Sequence, residues 1–292
     1  MLLNASGCLD ALTAPDVARA LDAYVTKTIT PEPREGNAPV RIAETDVGML
    51  NSIGLANPGR DRFLDDVLPR LRELGMPIWV SVGGFRARDF ADTCAALAGI
   101  AAIELNLSCP NVDEAPESAA EIVAACRRAT PLPLYAKLSA ALPDVAAVAR
   151  AVQAAGADGL SLINTIRGLK LDEGTLRPVL GRVTGGLSGP ALKPVALAAV
   201  YACYRATQLP IVGMGGVQTG RDAIELIAAG ARHVALGTIL FADPTAPSRV
   251  RAELAAAARD VGAADPDDVF ALAHAPLEPS RKDLESEHKL TA

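Results

Sequence analysis

A few polar side chains stand out against an otherwise apolar chain. The segment IELNLSCPNV carries Asn106, Ser108, Cys109 and Asn111. A thiol among amides, followed by Pro110, can take up a proton as a general base. In apolar surroundings the same thiol would be a small packing residue. Its ordinary pKa near ~8.5 makes such a base work better as pH rises, unless neighbours lower it. Lys27 and Lys137 lie at the ends of apolar runs, where burying an amine without a partner is costly. Lys137 offers two chemistries, a Schiff base or a positive charge beside an anionic reduced cofactor. Lys27 suits a carboxylate. Asn51, Asn106, Asn111 and Asn164 each provide a carbonyl acceptor and an NH2 donor. Singly, asparagines at such places serve turns. Together they suit a ring with alternating imide N–H and C=O groups, and suit a hydrocarbon or a sugar poorly.

Glycines supply the next signal. PIVGMGGVQTGRDA places Gly215 and Gly216 between an apolar run and a helical one, and Gly237–Thr238 does the same further on. Such turns can hold a phosphate through backbone N–H groups and a helix N-terminus, which points to a phosphorylated substrate or FMN. Other chemistries lack their residues. No histidine ends an apolar run, since His233 begins one and His274 and His288 come late. No pair of carboxylates projects from neighbouring run ends, as glycoside hydrolysis needs. Glu104 lies inside a run and is expected to face an interior hydrogen-bond partner. No cluster has metal-ligand spacing. The other cysteines, Cys8, Cys94, Cys126 and Cys203, fall near or in helical stretches and read as packing. Their scatter fits neither a disulfide framework nor an iron–sulfur site, and a reducing cytoplasm suits them.

These residues need elements to position them. Eight short apolar runs, Leu2–Ser6, Ala23–Thr28, Ile78–Val82, Ala102–Ser108, Leu134–Leu138, Gly159–Asn164, Pro210–Met214 and His233–Gly237, alternate with Ala-rich helical stretches. Runs apolar on both faces are what a buried parallel sheet requires. Eight such units in one chain predict an α/β fold, a (β/α)8 TIM barrel. No G-x-G-x-x-G follows the first run, which disfavours a doubly wound sheet. The connections Ile29 to Gly59 and Ile166 to Thr184 are too long for plain loops. They predict extra hairpins at the C-terminal face that wall in a ligand. Thr13 with Asp16, Ser118 with Glu121 and Thr219 with Asp222 have capping-box spacing, and Gly230 is placed to stop a helix. Residues 1–275 read as one barrel and 276–292 as a polar tail expected to be disordered. With 28 Lys and Arg against 34 Asp and Glu, a net charge of −6 disfavours nucleic acid as the main partner. No apolar run is long enough to span a membrane, and no signal peptide is visible.

In order along the chain, NASG (4–7), TKTIT, REGN, GMLNSIGLANPG (48–59), IELNLSCPNV (103–112), YAKLS, GADGLSLINT (156–165), GGLSGPALKPVAL (185–197), GMGGVQTGRDAIELIAAGA (213–231) and ALGTILFADP (235–244) resemble the class 1 dihydroorotate dehydrogenases. The resemblance implies a soluble FMN barrel that oxidises dihydroorotate to orotate in pyrimidine biosynthesis. It implies Cys109 as the base for the C5 proton and FMN N5 as the acceptor of the C6 hydride. Class 2 enzymes carry Ser at the Cys109 position. Lys27, Asn51, Asn106, Asn111, Asn164 and Thr165, with the backbone of Ile53, Gly54 and Leu55, are implied to hold the substrate. Ser6, Gly7, Lys27, Thr28, Asn106, Lys137, Ile163, Gly189, Gly215, Gly216, Gly237 and Thr238 are implied to hold FMN, with Lys137 stabilising negative charge on its reduced form.

GGLSGPALKPVAL and INT look most like the 1B branch, whose partner subunit carries FAD and a 2Fe–2S cluster and passes electrons to NAD. The alternative is the 1A branch, a homodimer using fumarate. A dimer is implied in either case. Three departures from the pattern stand out. The N-terminal hairpin is missing or reduced, the first βα segment is short, and the loop PNVDEAPES after Cys109 is short. A shorter lid leaves the pocket more open or needs a partner to close it. Rival readings are a related flavin barrel acting on another dihydropyrimidine, a Schiff-base lyase using Lys137, and a non-catalytic flavin-binding scaffold.

Overall fold

The computed structural model describes residues 1–107 and 118–276. Cys109, Asn111 and the loop around them, and residues 277–292 of the polar tail, lie outside the described residues. Eight parallel strands form one sheet, and its two ends meet. They are β1 (Leu2–Asn4), β2 (Tyr24–Val25), β5 (Ile78–Val82), β6 (Ala102–Asn106), β7 (Leu134–Ser139), β8 (Gly159–Asn164), β11 (Ile211–Met214) and β12 (His233–Leu236). The order is β1-β12-β11-β8-β7-β6-β5-β2, and a parallel bridge between Leu3 and Ala23 closes the ring. Each is one of the eight apolar runs, and helices lie between most of them, so the expected TIM barrel is what forms.

The second strand is shorter than its apolar run. Thr26 Oγ1 accepts the N–H of Ser81 at 3.1 Å, a place where a regular ladder would use a backbone carbonyl. The side chain thus ends the strand while keeping the neighbouring donor satisfied.

Alternation along each strand sorts the side chains into two sets. Outward residues such as Ile103, Leu105, Leu134, Leu160 and Ile211 pack beneath the helices. Inward residues fill the barrel in layers. Leu3, Val25, Trp79, Ala102, Tyr135, Val212, Met214 and Ala235 form an apolar plug. The Trp79 and Tyr135 rings lie 4.4 Å apart. A Cβ on Gly159 would fall within 2.2 Å of the Tyr135 ring, so only glycine leaves space for that ring.

The two long connections form hairpins, and the hairpins pair with each other. β3 (Ile42–Thr45), β4 (Gly48–Asn51), β9 (Ile166–Leu169) and β10 (Thr184–Ser188) make one antiparallel sheet in the order β3-β4-β10-β9. Asn51, Gly186 and Arg167 sit side by side in its register.

Helix ends follow the sequence in three of four places. Ser118 with Glu121 and Thr219 with Asp222 form capping boxes, and Gly230 takes φ +113° just after the helix Gly220–Ala228. Thr13 does not cap. The helix Pro15–Arg19 has Ala14 at its N-cap, and Thr13 donates to Asp10 O instead. Proline holds the residue before it out of helical geometry, so Pro15 fixes the boundary one residue beyond Thr13.

Candidate active site

The C-terminal ends of the strands carry the polar residues singled out above, and hydrogen bonds join them in a row. Asn164 Nδ2, at the end of β8, donates to Asn106 Oδ1 at 3.2 Å. Asn106 Nδ2, at the end of β6, donates to Thr28 Oγ1 at 3.3 Å. Thr28 Oγ1 lies 3.0 Å from Ser81 Oγ, and Ser81 Oγ donates to Glu104 Oε1 at 3.3 Å. Lys137 Nζ reaches the same oxygen at 3.3 Å. Glu104 is 2 % and Lys137 6 % exposed, and Ser81 is fully buried. Glu104 therefore faces an interior partner, as expected, and that partner is Lys137. Ser6 Oγ joins the row beside Thr28 and donates to Thr26 O at 2.8 Å.

The second lysine sits against a turn. Gly7 adopts φ +80°, and a Cβ there would stand 3.0 Å from Lys27 Cδ and 3.2 Å from its Nζ. Glycine lets the Lys27 stem lie flat over the backbone. Burial pulls the Lys27 amine below its ordinary range, and the charge of Lys137 pushes the same way against an opposing effect from Cys8. Cys8 packs against the apolar core, as expected, and it also has charged neighbours. The Gly7 turn places it near both lysines, and burial raises its thiol above the ordinary range while Lys137 and Lys27 oppose the rise. Cys94, Cys126 and Cys203 are buried packing residues, as expected.

The small sheet covers one side of the mouth. Asn51 Nδ2 donates to Gly186 O at 3.2 Å, and a Cβ on Gly186 would collide with the Thr165 hydroxyl. Thr165 N in turn donates to Asn164 Oδ1 at 2.8 Å. Asn51, Asn106, Asn164 and Thr165 are thus brought to one mouth. After β4, the carbonyls of Ile53, Gly54 and Leu55 are taken by Asn37 N, Arg34 Nε and Asn57 Nδ2. Their N–H groups carry no hydrogen bond among the described residues, which leaves three donors for an anion.

The glycine turns gather on the opposite side. β11 and β12 are neighbours, so Gly215–Gly216 and Gly237–Thr238 emerge side by side. A Cβ on Gly216 would stand 2.7 Å from the Lys193 backbone N. The turn therefore abuts the start of the helix Lys193–Ala206, just after Gly189. Gly215 lies against Ile163 and Leu192. One expectation changes here. The N-terminus of the helix Gly220–Ala228 is closed, because Asp222 accepts from Gln218 N and Thr219 N, and Glu253 accepts from Gly220 N. Lys193 is likewise committed to Asp222 and Glu225. The N-terminal donors of that helix are therefore already taken, and the turns themselves are what remain.

The two histidines among the described residues stay away from this mouth. His233 lies beside the chain's N-terminal amine, and burial holds its pKa at about 4. His274 stacks on Tyr201. No cluster of metal-ligating side chains occurs among the described residues.

The family model described as Dihydroorotate dehydrogenase matches residues 1–257. The dihydroorotate dehydrogenase B (NAD(+)) catalytic subunit of Desulforudis audaxviator is 44% identical over 264 residues, covering 87% of this chain and 86% of the relative. That of Geobacillus kaustophilus is 41% identical over 276 residues, covering 89% and 88%. The chain belongs to the dihydroorotate dehydrogenase family. Its fold matches the DHODH of Eimeria tenella, solved with ferulenol, at a TM-score of 0.78 and 24% identity, covering 94% of this chain and 85% of that one. The chain is an oxidoreductase of class 1 that acts in dihydroorotate oxidation for pyrimidine biosynthesis.

The family is FMN-dependent, and the residues present fit that group. FMN pairs a phosphate with a ring of alternating donors and acceptors. The glycine turns offer backbone donors, and the row that links Asn106, Thr28 and Lys137 offers the rest. No described helix is long and apolar enough to cross a membrane. The sequence reading missed Ser81, because a serine inside IWVSV gives no signal beyond a strand.

Proposed function

We propose that this chain oxidises (S)-dihydroorotate to orotate with Cys109 as the base, and that the electrons leave through a separate subunit to NAD. The observation that carries the reading is the row from the half-buried Asn164 to the buried Lys137, which assembles amide donors, amide acceptors and a fixed cation at one mouth. When bound, FMN supplies the acceptor for the C6 hydride. The Cys109 thiolate takes the C5 proton. Lys27 and the free N–H groups of Ile53, Gly54 and Leu55 hold the substrate carboxylate. Asn51, Asn106, Asn111, Asn164 and Thr165 orient the ring. Lys137 keeps a positive charge beneath the site. Ser6, Gly7, Thr28, Ile163, Gly189, Gly215, Gly216, Gly237 and Thr238 line the cofactor position.

The relatives' names, B (NAD(+)) catalytic subunit, support an electron-transfer partner, for which FAD and a 2Fe–2S cluster are the expected carriers. Val40, Ile42, Val47, Leu169, Leu176 and Val183 leave apolar surface exposed around the small sheet. Such surface supports protein partners there, including a second copy of the chain. The Schiff-base reading loses ground to one contact. Lys137 is tied to a buried carboxylate, whereas a Schiff-base lysine needs a free, neutral amine.

The test is an absorbance spectrum of the purified protein followed by anaerobic dihydroorotate. The expected result is a yellow protein that bleaches. A yellow protein that stays yellow points to another dihydropyrimidine. A colourless protein that takes up no added FMN, and is trapped by borohydride with substrate, overturns the reading in favour of the lyase.

A further inference from the structure

One oxygen, Glu104 Oε1, receives both Lys137 Nζ and Ser81 Oγ. Counting protons gives the row a direction. Ser81 donates its only hydroxyl proton to the carboxylate, so it accepts from Thr28. Thr28 therefore donates to Ser81 and accepts from Asn106, whose carbonyl accepts from Asn164. From Asn164 to Ser81 every donor points toward Glu104, while Ser6, beside Thr28, spends its proton on Thr26 O. Among the described residues, Glu104 is also the only carboxylate in contact with Lys137. Lys27 and Lys137 are two cations near the mouth, and Glu104 offsets one of them inside a low-dielectric barrel where charges act strongly.

We propose that Glu104 is a positioning residue that sets how readily the bound flavin is reduced, by anchoring Lys137 and offsetting part of its charge. The inference rests on the reading that FMN lies over Lys137. A positive charge below the flavin favours its reduced, anionic form. Glu104 weakens that field and holds the reduction potential lower than Lys137 alone would set it. Ser81 carries no charge and acts only on the hydrogen-bonded row.

The experiment is a reductive titration of the FMN-loaded full chain against a reference dye, with thermal unfolding recorded in parallel. E104Q is expected to raise the equilibrium constant for two-electron reduction about tenfold, which is about 30 mV. S81A is expected to leave that constant within about threefold while weakening orotate binding about threefold to tenfold, read from the flavin spectrum. An unchanged potential in E104Q with FMN bound overturns the proposal, as does an equal shift in both variants. If E104Q does not hold FMN, E104D, which keeps the carboxylate but draws it back from Lys137, is compared with the wild-type chain. It is expected to raise the constant about threefold, and an unchanged potential with FMN bound overturns the proposal. A wild-type chain that takes up no FMN overturns the flavin reading itself, a different failure from a flavin whose potential ignores Glu104.

Discussion

Two layers of the barrel interior sit one pleat apart on the same strands and do opposite things. On β5, β6 and β7, Trp79, Ala102 and Tyr135 belong to the apolar plug. Two residues further along, Ser81, Glu104 and Lys137 form a buried polar layer. The plug lowers free energy by burial and ring contact. The polar layer gives up that gain, because charges taken from water recover their desolvation only through good partners. The backbone geometry is the same, so the difference lies in side-chain choice. Plug residues hold the strands in place, and the layer above presents fixed dipoles and charges to a ligand.

The largest expected effect tests the chemistry above both layers. Cys109→Ala should lower kcat about 10²- to 10⁴-fold, the usual contribution of a general base, while leaving FMN content and thermal stability unchanged. A variant with near-normal turnover at saturating substrate would move the base elsewhere. Next comes the plug. Trp79→Ala should cost about 3–5 kcal/mol of stability through loss of a large buried ring. At temperatures well below unfolding, kcat/KM should stay within about threefold. Denaturant unfolding together with steady-state kinetics checks both halves, and a large loss of activity at full stability would end the division of labour between the layers.

The same division governs what the sequence revealed. The barrel follows from runs apolar on both faces, and all eight barrel strands appear where the runs place them. Lys27 and Lys137 were legible because an amine at the end of an apolar run costs too much without a role, and Asn51, Asn106 and Asn164 only as a set, since one asparagine alone reads as a turn residue. Ser81 was not, since a small hydroxyl in a strand is cheap enough to be incidental. Pairing between the hairpins was also hidden. β4 and β10 are far apart in sequence, and only the closed barrel brings them into register. The charged neighbours of Cys8 and the closed end of the helix Gly220–Ala228 depend on side-chain directions. Spacing cannot report those, because a capping box that satisfies a helix end reads the same as one that leaves it open to a ligand.

The pH profile separates Lys27 from Cys109. Burial lowers the Lys27 pKa, and only its charged form attracts a carboxylate. As pH rises through that depressed value, Lys27 loses its proton, and substrate KM should climb up to tenfold per unit. The climb should begin below the range of an ordinary lysine near ~10.4. On the acid side, kcat should rise with pH as the Cys109 thiol ionises. Lys27→Arg, whose guanidinium stays charged, should flatten the alkaline climb in KM and leave the acid limb in kcat alone. An alkaline limb that persists in this variant would assign it to another group.

The smallest effect concerns Ser161, which shares the polar layer with Lys137 in the register of β7 and β8. Its hydroxyl is fully buried and has no hydrogen-bond partner among the described residues. A buried, unpaired hydroxyl costs desolvation without return. Removing it by Ser161→Ala should therefore be neutral or stabilising, by up to about 1 kcal/mol, where truncating a bonded member of the layer such as Ser81 should destabilise. If Ser161→Ala instead lowers the melting temperature, its hydroxyl has a partner, and a buried water in the polar layer is the group that fits. The layer would then be fully satisfied and as well bonded as the plug beneath it is well packed. If the variant gains stability and loses substrate affinity, the unpaired hydroxyl is maintained for the ligand, and the strain belongs to the site.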